Sequence, residues 1–93
     1  MNKNKLKLAR NKVDQLDQKI FNLIKKRTQI VKYMLSLKKF KKEVVNYKRN
    51  NEILKKIKNK SIRNNIDTNI TGRIWKAIIW SYIDFQKRNF RKK

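Results

Sequence analysis

The sequence predicts an all-α fold, and three observations carry that reading. Val13, Leu16, Ile20, Leu23, Ile30, Met34 and Leu37 recur at the 3–4 spacing of a long amphipathic helix. The 93 residues hold no proline and one glycine, so the residues that tight hairpins need are missing. Leu, Ile, Val and Phe together exceed the rough 20% level below which chains stay disordered, so there is material for a core.

The first helix is expected over about residues 6–39, ending at Leu37 or Lys39, and roughly 50 Å long at 1.5 Å per residue. That exceeds what the remaining chain can cover, and a second copy is the simplest cover, giving an intertwined homodimer. Phe40 to Glu43 breaks the pattern, and Val44 and Val45 read as a short apolar plug. A second helix is expected over about 46–60, with Ile53, Leu54 and Ile57 inward and Arg49 continuing that face one turn earlier. Ser61 to Asn65 reads as a polar, basic linker. Asp67 or Thr68 is the expected N-cap of a third helix over about 68–90. Its inward residues are Ile70, Ile74, Trp75, Ile78, Ile79, Tyr82, Ile83 and Phe85, with Gln86 on the same stripe. Trp75 and Trp80 read as packing residues, and Arg88 to Lys93 as a solvated tail. Residues 1–93 are expected to form a single domain.

The chain carries 28 Lys and Arg against six Asp and Glu, a net charge of +22. Such a field attracts nucleic acid, acidic membranes and small anions alike. Most of the lysines alternate with Asn and Ile, a mix that coding bias and solubility account for. The informative cations are therefore those in odd places. Arg27 breaks the apolar seam, where a guanidinium is costly unless an anion pairs with it. Lys38 follows eleven residues on, about three helical turns away on nearly the same side. With so few acids in the chain, the expected pairing anion is a small, multiply charged ligand.

Each such residue also has a plain structural explanation. Arg27 can snorkel its head to water. A cation at Lys38 suits the helix macrodipole. Arg49 can lie at the margin of its face, Gln86 can bridge neighbours, Tyr82 can be core, and Arg10 can be solvated. The chain has neither His nor Cys, which excludes disulfides, Cys-ligated metals and His-based acid–base catalysis. No apolar run reaches the roughly 18 residues of a membrane span, and no apolar stretch follows the basic N-terminus. A cytoplasmic location without membrane partners is expected.

Taken together, Arg10, then Leu16-Asp17 within Val13-Asp14-Gln15-Leu16-Asp17, Ile20, Leu23-Ile24, Arg27, Lys38, Arg49, Ile78-Ile79 and Gln86 form a pattern. It resembles the all-helical chorismate mutases, type II, over about Leu6 to Gln86. The resemblance implies three helices per chain, an intertwined dimer and two sites shared between chains. It implies conversion of chorismate to prephenate for phenylalanine and tyrosine synthesis, with no cofactor or metal. By the same resemblance, Arg27 and Arg49 of one chain and Arg10 of the other hold the two carboxylates. Lys38 and Gln86 donate to the ether oxygen. The main chain near Asn46 and the Asn50 side chain face the ring hydroxyl. The chain departs from the family where Asn50 replaces a Glu, Asn46 an acidic residue, and Tyr82 a Ser. The run Ile78-Ile79-x-x-Tyr82-Ile83-x-x-Gln86 is similar to the isochorismate-pyruvate lyases of the same fold, an alternative activity. A basic helical nucleic-acid binder is the alternative from another class, disfavoured because no reading helix is recognisable.

Overall fold

The computed structural model describes residues 2–91, in which helices α1 (Lys3–Leu37), α2 (Tyr47–Arg63) and α3 (Thr68–Asn89) account for most of the chain. A 3-10 turn, Lys41–Val44, sits between α1 and α2, and no strand occurs among the described residues. The expected all-α, three-helix architecture is what forms. The last two tail residues, Lys92 and Lys93, lie outside the described residues, as does Met1. The chain divides into two compact units, Met1–Val31 and Lys32–Lys93.

The first unit is built from α1 alone. The helix starts ahead of the expected Leu6 because Asn2 caps it: Asn2 Oδ1 accepts from the backbone N–H of Asn4 at 3.0 Å and of Lys5 at 3.1 Å. Within the single chain Val13, Leu16, Ile20, Leu23 and Ile30 all face solvent, and only Val31 of α1 is buried. The ridge that the spacing marked out is real as a helical stripe, and this chain by itself does not cover it.

The second unit holds the core. Val44, Ile79 and Ile83 are buried together, with Leu35, Val45, Ile53 and Leu54 packed against them. The plug at Val44 thus joins the last turns of α1 to α2 and α3. Helix α1 stops at Leu37, the earlier of the two expected ends. The reason is local: the N–H groups of Lys39 and Phe40 bond to the Glu43 carboxylate, at 2.8 and 3.0 Å, in place of helix carbonyls.

Helix α2 starts where Asn46 Oδ1 accepts from the N–H of Arg49 at 3.0 Å. It runs past the expected end at Lys60 to Arg63, so the linker reading is corrected for Ser61 to Arg63, while Asn64 and Asn65 form the turn. Ser61 is buried, and its hydroxyl bonds to the Ile57 carbonyl and to Thr71 Oγ1, each at 2.7 Å. That second bond ties α2 to α3. The helix then closes in a Schellman motif: Ile66 N–H reaches Ser61 O at 2.9 Å and Asn65 N–H reaches Ile62 O at 3.3 Å. Asn65 sits at φ 56°, the left-handed region that Asn tolerates better than most residues.

Asp67 is the N-cap of α3, accepting from Asn69 N–H at 2.7 Å. Two inward assignments on α3 are corrected, since Ile70 and Ile74 are exposed in the single chain, and so is the packing reading of Trp80, which is 55% exposed. The stripe that packs runs through Ile79, Ile83 and Gln86. Ile70 precedes Ile79 by nine residues, two and a half turns, and so lies on the opposite side. Trp75, Ile78, Tyr82 and Phe85 flank the stripe and are half-buried.

Candidate active site

Burial separates two cations from all the rest. Among the described residues, every Lys except Lys38 is exposed, and every Arg except Arg27 is exposed. These are the two whose position in the sequence was out of place. Arg27 is half-buried on α1, in the first unit. Arg10 of the same unit is exposed.

The second unit brings Lys38 and Gln86 together. Lys38 Nζ donates to Gln86 Oε1 at 2.7 Å, across 48 positions of sequence. Gln86 is 8% exposed, and its amide N–H donates to the Tyr82 carbonyl one turn earlier, at 3.2 Å. Both ends of the amide are therefore engaged, and its orientation is fixed by a donor on one side and an acceptor on the other. The Lys38 ammonium uses one of its donors on Gln86. Burial pulls the Lys38 pKa below its ordinary 10.5, against the opposing pull of the Glu43 carboxylate. A cation partly stripped of water, hydrogen-bonded to a neutral amide, is prepared to meet an anionic atom.

Lys38, expected at the end of the first helix, is the first residue beyond α1, its N–H bonded to Leu35 O at 3.1 Å. Arg49 was expected on the inward face of α2 and is exposed. It occupies the first turn, where the side chain lies a turn ahead of the half-buried Ile53 and beyond the packed part of the helix. Asn46 is exposed with its side-chain oxygen used as the cap, Asn50 is half-buried, and Tyr82 is half-buried. Sequence reasoning missed Glu43 altogether. It is the sole acid between Asp17 and Glu52, three residues after the Phe40 that opens the 3-10 turn, the position from which a Glu reaches back to the backbone.

The described chain is all-α, with two half-buried cations, one of them, Lys38, hydrogen-bonded to the buried Gln86. The family model for chorismate mutase type II matches residues 9–87, and the chain belongs to that family. No match to the chain was found among curated proteins or among solved structures. None of the helices is long and apolar enough to cross a membrane, among the described residues.

Proposed function

We propose that the protein is a homodimeric, cytoplasmic chorismate mutase of the aromatic amino acid pathway that converts chorismate to prephenate without a cofactor. The single observation that carries the reading is the Lys38–Gln86 pair in a family whose reaction needs donors at a breaking C–O bond. In this rearrangement the ether C–O bond breaks as a new C–C bond forms within the same molecule, and no proton is gained or lost. The chain needs no nucleophile or proton relay, which suits a sequence without His or Cys. Its tasks are to hold a dianion in a compact conformer and to stabilise the charge growing on the ether oxygen. Lys38 supplies a full charge to that oxygen. Gln86 supplies the second N–H of its amide, the one not given to the Tyr82 carbonyl. Arg27 and Arg49 hold the carboxylates with Arg10, and Asn46 and Asn50 face the ring hydroxyl.

The length of α1 supports a site shared between two chains. Arg10 and Arg27 lie 27 − 10 = 17 residues apart on one helix, roughly 25 Å at 1.5 Å per residue. A molecule the size of chorismate spans far less, so one chain cannot place both guanidinia on it. A second copy laid along the exposed ridge of α1 covers Val13, Leu16, Ile20 and Leu23, each worth about 1.5–3 kcal/mol when buried.

Asn50 and Tyr82 are the residues that bear on the lyase alternative, and the test addresses it directly. Purified protein is given chorismate and isochorismate separately and the products are identified. Prephenate from chorismate is expected. Salicylate with pyruvate from isochorismate assigns the lyase activity instead, and turnover of neither substrate removes the enzymatic reading.

A further inference from the structure

We infer that Glu43 is a positioning residue for Lys38: its carboxylate locks the corner after α1 to the 3-10 turn and so holds the ammonium on Gln86. The inference rests on the functional reading above, in which Lys38 acts on the substrate. Three contacts carry it. Glu43 Oε2 accepts from the N–H of Lys39 at 2.8 Å and of Phe40 at 3.0 Å, the two residues that follow Lys38. Glu43 N–H donates back to Phe40 O at 3.0 Å, closing the turn. Val44, the next residue, is buried against Ile79 and Ile83 of α3, the helix that presents Gln86 three residues on. The path from Lys38 through the corner, Glu43, Val44 and α3 to Gln86 is thus a closed mechanical loop, and the Nζ–Oε1 contact is its last link.

A lysine side chain carries four rotatable bonds and about 2 kcal/mol of rotamer entropy, so its head does not stay in place unless its backbone is held. The corner lacks other means of holding. Phe40 is exposed, Lys39, Lys41 and Lys42 are exposed, and four of these five residues from Lys38 to Lys42 repel one another. Glu43 is the one acid there. Its carboxylate is held below the usual range by the Phe40 N–H first, then by the Lys39 N–H and the charges of Lys38 and Lys39. It also works on the ammonium directly, opposing the loss of charge that burial favours. From α3 Lys38 meets neutral Gln86, with Tyr82 a turn below, so Glu43 is the charged group that favours the protonated form.

Two variants separate the two actions. Glu43→Gln keeps an oxygen that can accept from Lys39 and Phe40 but removes the charge; Glu43→Ala removes both. Amide exchange at Lys39 and Phe40 and the titration of the Lys38 side chain, followed by NMR on isotope-labelled lysine and assigned with Lys38→Ala, read the positioning without any turnover. Glu43→Ala is expected to speed exchange at both amides several-fold and to lower the Lys38 midpoint. Glu43→Gln is expected to lower the midpoint while keeping the amides protected. In turnover, Glu43→Ala should lose about tenfold in kcat with KM nearly unchanged, and the high-pH limb of its kcat/KM should move down. Unchanged Lys38 titration and unchanged Lys39 and Phe40 exchange in Glu43→Ala overturn the inference. Should that variant fail to fold, amide exchange in the unaltered protein decides, and unprotected Lys39 and Phe40 amides there overturn the inference. Absence of prephenate from the unaltered protein is a different failure, one that sinks the mutase reading and leaves the NMR result for Glu43 standing.

Discussion

Replacing Lys38 should separate catalysis from folding. Lys38→Ala removes the cation that Gln86 Oε1 accepts from at 2.7 Å. A preorganised charged donor at a developing oxyanion is worth about 3–4 kcal/mol, and each 1.36 kcal/mol is tenfold, so kcat should fall roughly 10²–10³-fold. The structural loss is smaller. One hydrogen bond to a charged group, about 1.5–3 kcal/mol, disappears, but the cost of keeping an ammonium partly out of water disappears with it. The net change should stay below about 2 kcal/mol. Lys38→Met, which keeps most of the stem, controls for lost packing. The assay follows disappearance of chorismate alongside denaturant unfolding of the same samples. Activity within tenfold of the unaltered protein, with the fold intact, would refute the role of Lys38.

The pH dependence has a definite sign. Burial lowers the Lys38 pKa in the folded state, so the unfolded chain binds that proton more tightly. Between the lowered value and 10.5, this group's contribution to stability therefore rises with pH, while below the lowered value its charged form costs the fold. Activity runs the other way. As the ammonium of the free enzyme is lost, kcat/KM should fall along a limb whose midpoint lies below 10.5, and Lys38→Met should lack that limb.

Mixing an Arg10→Ala chain with an Arg27→Ala chain should restore activity that neither has alone. Half of randomly paired dimers are mixed and each has one intact site of two, giving about a quarter of full activity; no recovery in proven heterodimers would count against a site built from two chains. Gly72→Ala should stabilise by about 0.5–1 kcal/mol, because Gly72 is within α3 and an added Cβ meets nothing within 4 Å; a lowered unfolding midpoint would show that another surface lies against it.

Helix type and placement were legible because periodicity, caps and the absence of hairpin residues all agree. Arg27 and Lys38 were legible for a related reason: a cation interrupting an apolar rhythm is conspicuous, and both turn out to be withdrawn from solvent. What periodicity does not carry is the direction of a stripe once a helix packs on one side only. Ile70 and Ile74 are apolar and helical yet sit across α3 from Ile79. Ser61 was readable in principle, since it extends the Leu54, Ile57 spacing by one more turn, but a serine among lysines gives no hint that its hydroxyl will find Thr71. Glu43 was hidden because its partners are backbone N–H groups, which every residue here has.

The net charge of +22 and the site answer different needs. A field from 28 cations, nearly all hydrated among the described residues, can draw a dianion toward the protein but cannot orient it, since an exposed ammonium interacts with an anion through water and salt screens it. Orientation requires a cation whose water has been removed and whose position is fixed. Removing the water costs energy, and the chain has few acids with which to offset it. Lys38 meets that cost with a neutral amide and one carboxylate acting across a turn, an arrangement that leaves its charge uncancelled. A carboxylate in place of the Gln86 amide would cancel more of that charge. On the mutase reading proposed above, a neutral glutamine at position 86 suits a cation that has to meet a developing negative charge.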